Sequence, residues 1–239
     1  MNPAIVVDGL TKAYQEKTVL DRLCLSVPRG TVFGLLGANG AGKSTAIECI
    51  LGTKTADAGT VQLLGQDPRK NRRALFQHIG VQFQEGDFAK DLLVSELCEE
   101  TASLYRKPTD WRTLCEQFGI GAKHGAMVKD LSGGERQRLY LVLALIPSPE
   151  IVFLDELTTG LDARARRDVW KTLESLKKQG LTVFLISHFM DEVEALCEEI
   201  CILKKGKTVF RGTVEEAKQS CGCERFEDAY LRLAEEAEA

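Results

Sequence analysis

Three groups of polar residues in this sequence have the types and spacing to bind a triphosphate and cleave its phosphoanhydride bond. The first is Gly37-Ala38-Asn39-Gly40-Ala41-Gly42-Lys43-Ser44, which fits the pattern G-x-x-x-x-G-K-[ST]. Glycines there let the backbone wrap a triphosphate with its N–H groups inward, and a helix starting beside the lysine adds its positive end. Lys43 is expected to reach the β- and γ-phosphates and Ser44 to ligate Mg²⁺, with Asn39, Gly40, Ala41, Gly42 and Thr45 completing the nucleotide contact. The second group is Asp155-Glu156, directly after the apolar run Ile151-Val152-Phe153-Leu154. Asp155 suits holding Mg²⁺ or its water, and Glu156 suits a base that orients or deprotonates an attacking water. The third is His188, which follows the strand-like stretch 181–187 in the same way.

Taken singly, each group has a plainer reading: a Gly-rich turn, an acidic pair opening a loop, a histidine satisfied structurally. Their convergence favours chemistry. All three sit at the ends of strand-like runs, the edge at which open α/β sheets bind ligands.

The elements that would position them follow from periodicity. Short β-type runs occupy 5–7, 31–36, 60–64 and 79–83, and the section 94–144 is helical in its spacing, as at 94–97 and 111–114. The runs 151–154 and 181–186 are too short for helices and unbroken, like parallel strands buried on both faces. Between them Asp162 can cap a helix that continues to Lys178 and that Gly180 ends. That is a strand, helix, strand unit of a parallel α/β sheet.

A chain of 239 residues with 44% hydrophobic and 28% charged residues builds a sizeable core, as one domain or one domain with an inserted lobe. Its net charge of -4 offers nucleic acid and acidic lipid no general attraction. No apolar run approaches the ~18 residues needed to cross a bilayer. The first residues show neither a basic leader nor a signal segment, so a cytoplasmic protein is expected. Cys24, Cys49, Cys98 and Cys115 are scattered like small buried hydrophobes. Cys197, Cys201, Cys221 and Cys223 could in principle hold zinc or form a disulfide, but their spacings match no zinc module, and reduced thiols are expected.

Leu131-Ser132-Gly133-Gly134-Glu135-Arg136-Gln137-Arg138 resembles the signature motif of the ATP-binding-cassette (ABC) ATPases. The same segment is an S-x-x-E capping box, and both readings can hold, because a Ser-Gly-Gly helix start is also an anion site. Nearly the whole chain, from residue 5 to about 233, is similar to that family, with its motifs in order. The resemblance implies an α/β fold: a P-loop core with a mostly parallel central sheet, an antiparallel β subdomain and an inserted α-helical subdomain. Residues 1–85 and 145–220 would form the nucleotide-binding core with its β subdomain, 86–144 the helical insertion and 221–239 a helical tail, all one ABC ATPase domain.

By the same resemblance Tyr14 stacks on adenine, and Gln84 touches Mg²⁺ and senses a permease. Gly160-Leu161-Asp162 crosses a dimer interface, and His188 contacts the γ-phosphate. Glu156, His188, Gln84 and Lys43 would be the catalytic set, and Ser44, Gln84 and Asp155 the Mg²⁺ set. Two subunits, expected to be identical, would pair head to tail, the Lys43 loop of one and Ser132, Gly133 and Gly134 of the other closing on one ATP. Leu157 departs from the family, which usually has proline there, as does Ala38.

One uninterrupted cassette resembles transport ATPases more than the tandem cassettes of translation factors or the split cassettes of DNA-repair ATPases. The basic stretch Arg69-Lys70-Asn71-Arg72-Arg73 reads as a solvated loop, and no nucleic-acid partner is expected. The stretches 187–207 and 226–233 resemble bacterial multidrug and antibiotic-type export ATPases. The expectation is therefore an exporter subunit, for drug-like, peptide or lipid-like compounds, peripheral on the inner face of the cell membrane beneath a separate multi-span permease. An importer stays open, as does a non-transport ABC ATPase acting as a regulatory switch or on translation or DNA.

Overall fold

The computed structural model describes residues 2–82 and 91–235. Its chain forms two compact units, Met1–Leu75 with Phe184–Ala239, and Phe76–Val183. In chain order the first unit begins with β1 (Ile5–Tyr14), β2 (Lys17–Val27), β3 (Val32–Leu36), α1 (Lys43–Ile50), β4 (Ala58–Leu63) and the single turn α2 (Arg72–Leu75). The second unit follows with β5 (Ile79–Gln82), α3 (Val94–Ser103), α4 (Trp111–Gln117), α5 (Gly133–Leu145), β6 (Ile151–Asp155), α6 (Ala163–Lys178) and the start of β7 (Thr182–Ile186). The chain re-enters the first unit within β7 and adds α7 (Met190–Leu196), β8 (Glu199–Lys204), β9 (Lys207–Gly212), α8 (Val214–Cys221) and α9 (Phe226–Glu235).

In the first unit β1 lies between β2 and β4, antiparallel to both, with Ile5 opposite Val27 on one side and Leu63 on the other. β2 is a strand that the periodicity does not announce. Its buried positions run Leu20, Leu23, Leu25 and Val27, so the alternation changes phase at Asp21-Arg22. Arg22 has φ +52°, and the pairing with β1 shifts register there, as a bulge requires. β3 is buried throughout and pairs parallel with β8, Leu35 opposite Cys201. β8 turns back into antiparallel β9 through Lys205-Gly206, both at positive φ (47° and 81°), as a two-residue hairpin turn demands. Lysine is a poor signal for such a turn, which is why this hairpin, too, is silent in the sequence.

β3 and β8 share a core with the helices that follow. Leu36, Ile200, Ile202, Val193, Ala217 and Phe226 are fully buried against one another, with Tyr230 and Leu233 packed at the margin. Phe33 meets Phe184 of β7 with ring centroids 5.4 Å apart. Phe226 anchors α9; burying such a side chain stabilises by about 1.5–3 kcal/mol.

In the second unit β5 runs parallel to β6, Val81 opposite Phe153, and β6 is buried up to Asp155. Asp162 caps α6, accepting from the amides of Arg164 (2.9 Å) and Ala165 (2.8 Å), and Gly180 at φ +103° follows its C-cap Gln179. The α/β class, with parallel core strands and a separate antiparallel sheet, is the one expected.

β5 is held close to the end of α5. A Cβ on Gly80 would collide with the carbonyl oxygen of Ala144, a backbone atom that cannot swing away. Gly80→Ala should therefore cost about 1–3 kcal/mol, seen as a lower urea midpoint with an unchanged slope.

Candidate functional site

The loop after β3 leads straight into α1, whose first residue is Lys43. Gly42, the N-cap, has φ +110°, and a Cβ on it would lie 2.6 Å from the Val19 carbonyl oxygen. Only glycine fits a left-handed position pressed against β2. On the other side the Gly206 amide donates to the Ala41 carbonyl (3.0 Å), and the Gly206 carbonyl accepts from the Asp21 amide (2.9 Å). The loop is thus gripped by β2 and by the β8–β9 turn. Lys43 is 7% exposed and its Nζ donates to the carbonyls of Gly37 (2.6 Å) and Ala38 (3.1 Å).

α1 has neither a side-chain cap nor an acidic first turn, whereas α3 and α7, also without a side-chain cap, carry acidic residues there. α4, α5, α6 and α8 are capped by the side chains of Asp110, Ser132, Asp162 and Thr213, whereas no side chain caps α1 and no acidic residue lies in its first turn. Those amides and the helix dipole suit an anion. Ser44 is exposed beside them, a hard oxygen donor of the kind Mg²⁺ takes. Tyr14 ends β1 with 42% of its surface exposed. His188 is exposed just after β7; the preceding Ser187 is buried and accepts from the Phe189 amide (3.0 Å).

The second unit carries the acidic pair and the signature segment. Asp155 is the half-buried last residue of β6, and Glu156 follows at φ +54°. Its carboxylate Oε2 accepts from the Thr159 hydroxyl (3.3 Å). Leu157 is fully buried. Gln137 of α5 donates to the carbonyls of both Glu156 and Leu157 (3.0 Å each), a bracing role the sequence reading did not assign. A polar side chain four residues into a helix whose start is a candidate anion site was the available signal.

Ser132 and Glu135 close the expected capping box: the Ser132 hydroxyl accepts from the Glu135 amide (3.3 Å), and Glu135 Oε2 accepts from the Ser132 amide and hydroxyl (2.9 Å each). Ser132 and Gly133 are exposed, and Gly134 lies against Leu161 and Gly160. The second unit therefore brings together the start of α5, the Glu156 turn and the loop that ends at Asp162. Gln84 falls outside the described residues.

Among the described residues no group of three or more His, Cys, Asp or Glu side chains could hold a metal ion. Burial pushes the Cys197 thiol up, and the Cys201 thiol up to about 11, away from the reactive thiolate.

A family model described as ABC transporter matches residues 20–159. The chain is 38% identical over 231 residues to the Nod factor export ATP-binding protein I of Ralstonia nicotianae, covering 94% of this chain and 72% of that protein. It is 37% identical over 238 residues to a daunorubicin resistance ATP-binding protein of Streptomyces coeruleorubidus, covering 97% and 74%. The solved structure of an ATP-binding subunit of an ABC transporter shares the fold, with a TM-score of 0.88 over 96% of this chain and 99% of that one, at 23% identity. This chain belongs to the ABC transporter family, as its ATPase subunit. It binds ATP, and its activity is ATP hydrolysis coupled to transport.

The Lys123 ammonium, 2.9 Å from Glu135, and the Ser132 amide and hydroxyl hold the Glu135 carboxyl at about 2, below its ordinary 4.5. A depressed carboxyl stabilises the fold fully above about pH 4.5, and this contribution fades as pH falls through about 2. In urea titrations from pH 6 to 2, the stability gap between the parent chain and Glu135→Gln should be constant down to about pH 4.5 and close below it.

Proposed function

We propose that this ATPase works as a head-to-tail pair that powers export through a separate multi-span membrane permease. The observation that carries the reading is the exposed Ser132-Gly133-Gly134 start of α5, braced through Gln137 to the backbone of Glu156. A helix start left open to solvent is suited to meet the γ-phosphate of an ATP seated on a second subunit. Through Gln137 that contact would reach the turn that carries the base. In each composite site the Asn39–Thr45 loop wraps the phosphates of one subunit's ATP, with Lys43 against the β- and γ-oxygens, and Tyr14 stacks on the base. Ser132, Gly133 and Gly134 of the other subunit complete the site.

Ser44, Gln84 and Asp155 are the oxygen donors assigned to Mg²⁺, which when bound neutralises charge on the phosphate oxygens. Glu156 orients the attacking water and takes its proton, and His188 contacts the γ-phosphate that leaves. Asp162 belongs to the loop that crosses between subunits. ATP favours the closed pair because its γ-phosphate contacts both subunits, and its products no longer do so; the pair then reopens.

Export as the direction is supported by the relatives, two of which are named for Nod factor export and for daunorubicin resistance. No helix among the described residues is long and apolar enough to cross a membrane, so a separate permease would supply the path. The subunit would then sit on the inner face of the cell membrane, its second unit docked on that permease.

Glu156→Gln should keep ATP affinity within about twofold and lower turnover at least about a hundredfold; turnover near the parent's would remove Glu156 from the role of base. The assembly is tested by tagging the chain in its own cell, solubilising gently and identifying what co-purifies. A stoichiometric multi-span membrane protein is expected, and ribosomes, DNA or a lone soluble dimer would refute the transporter assembly.

A further inference from the structure

The structure assigns Lys12 and Lys54 a positioning role: they clamp the Tyr14 ring as the platform for the nucleotide base, and Lys54 ties that platform to helix α1. This rests on the reading of Tyr14 as the base platform. The Lys12 and Lys54 ammonium groups lie 5.4 and 5.3 Å from the Tyr14 ring centroid. A tyrosine this exposed would otherwise be free to change rotamer, and stacking a base on it would first require it to be ordered.

Each ammonium is itself fixed. Lys12 Nζ donates to Asp57 Oδ1 (2.8 Å), while Asp57 Oδ2 accepts from the amide of Ala13 (2.7 Å), the residue before Tyr14. The Asp57 amide in turn donates to the Thr11 carbonyl (2.9 Å), so the end of β1 is stitched to the residue that holds the first lysine. Lys54 Nζ pairs with Glu48 Oε2 (2.7 Å), and the Lys54 amide donates to the Glu48 carbonyl (3.0 Å). Hydrogen bonds to Glu48 and to Tyr14 hold the Lys54 ammonium well above its ordinary range.

Glu48 lies on α1, the helix that Lys43 opens. One short helix thus carries the lysine assigned to the phosphates at its start and, five residues on, the carboxylate that sets the aromatic ring. A cation beside an aromatic ring at an exposed site holds it weakly, so its loss should change binding by only a small factor. The Lys54–Glu48 pair is about a third exposed and such pairs add little to folding, so removing Lys54 should leave a folded protein in which only the ring is loosened.

Calorimetric titration of the full chain without Mg²⁺, using ATP and inorganic tripolyphosphate as probes, tests this. Lys54→Met should weaken ATP binding about two- to fivefold and leave tripolyphosphate binding unchanged, with Lys54→Arg restoring most of the loss. In the Tyr14→Ala background the same lysine substitution should have no effect on ATP. ATP affinity unchanged in Lys54→Met while Tyr14→Ala is weakened would overturn the clamp and leave the platform standing. An equal loss for tripolyphosphate would also overturn it, by making Lys54 a phosphate contact. If Tyr14→Ala binds ATP like the parent chain, the platform reading itself fails, and the clamp with it.

Discussion

A backbone suited to hold a triphosphate must keep most of its amides turned toward the ligand, and amides so committed cannot stabilise their own loop. Within the segment 37–42 the Ala41 amide bonds the Ala38 carbonyl (3.1 Å), and further bracing comes from outside it. Here it comes from a strand and a hairpin turn remote in sequence: the Val19 carbonyl pressed against Gly42, and the Gly206 amide bonded to the Ala41 carbonyl. The antiparallel sheet and the β8–β9 hairpin therefore do more than enlarge the core. They supply walls that hold the curvature of the loop from both sides.

The second unit solves a related problem with a single helix. α5 presents an exposed start and bonds the Glu156 turn through Gln137 one turn on, and at its far end the Ala144 carbonyl abuts Gly80 on β5. Its capping box leaves the Ser132 side chain engaged with Glu135, which sets the geometry of the first turn while the surface there stays open. The helix is thus held near both ends, by hydrogen bonds from Gln137 close to its start and by close packing at its far end.

Most of the architecture was legible because its elements repeat simple patterns. The unbroken apolar runs of β6 and β7 and the Asp162-to-Gly180 helix lie where periodicity and capping put them. The strands that escaped are the ones that break pattern for a structural reason. β2 changes phase at the Arg22 bulge, and the β8–β9 turn uses a lysine at positive φ. In the site, residues with distinctive chemistry, such as Lys43 and the Asp155-Glu156 pair, could be read from their neighbours in sequence. The contacts that support them could not, because Val19 with Gly42, and Gln137 with Glu156, meet only through the fold.

Glu156 occupies a left-handed backbone position at φ +54°, where a residue with a Cβ is strained and glycine or asparagine is at ease. With Glu156 as the proposed base, robustness and turnover compete at this position. Selection for heat resistance alone would drift toward Gly or Asn at 156, gaining a tougher subunit that has lost the carboxylate proposed to activate water. Variants that accumulate such changes would still fold and still seat nucleotide, so screens that score expression or melting temperature would favour an idle engine.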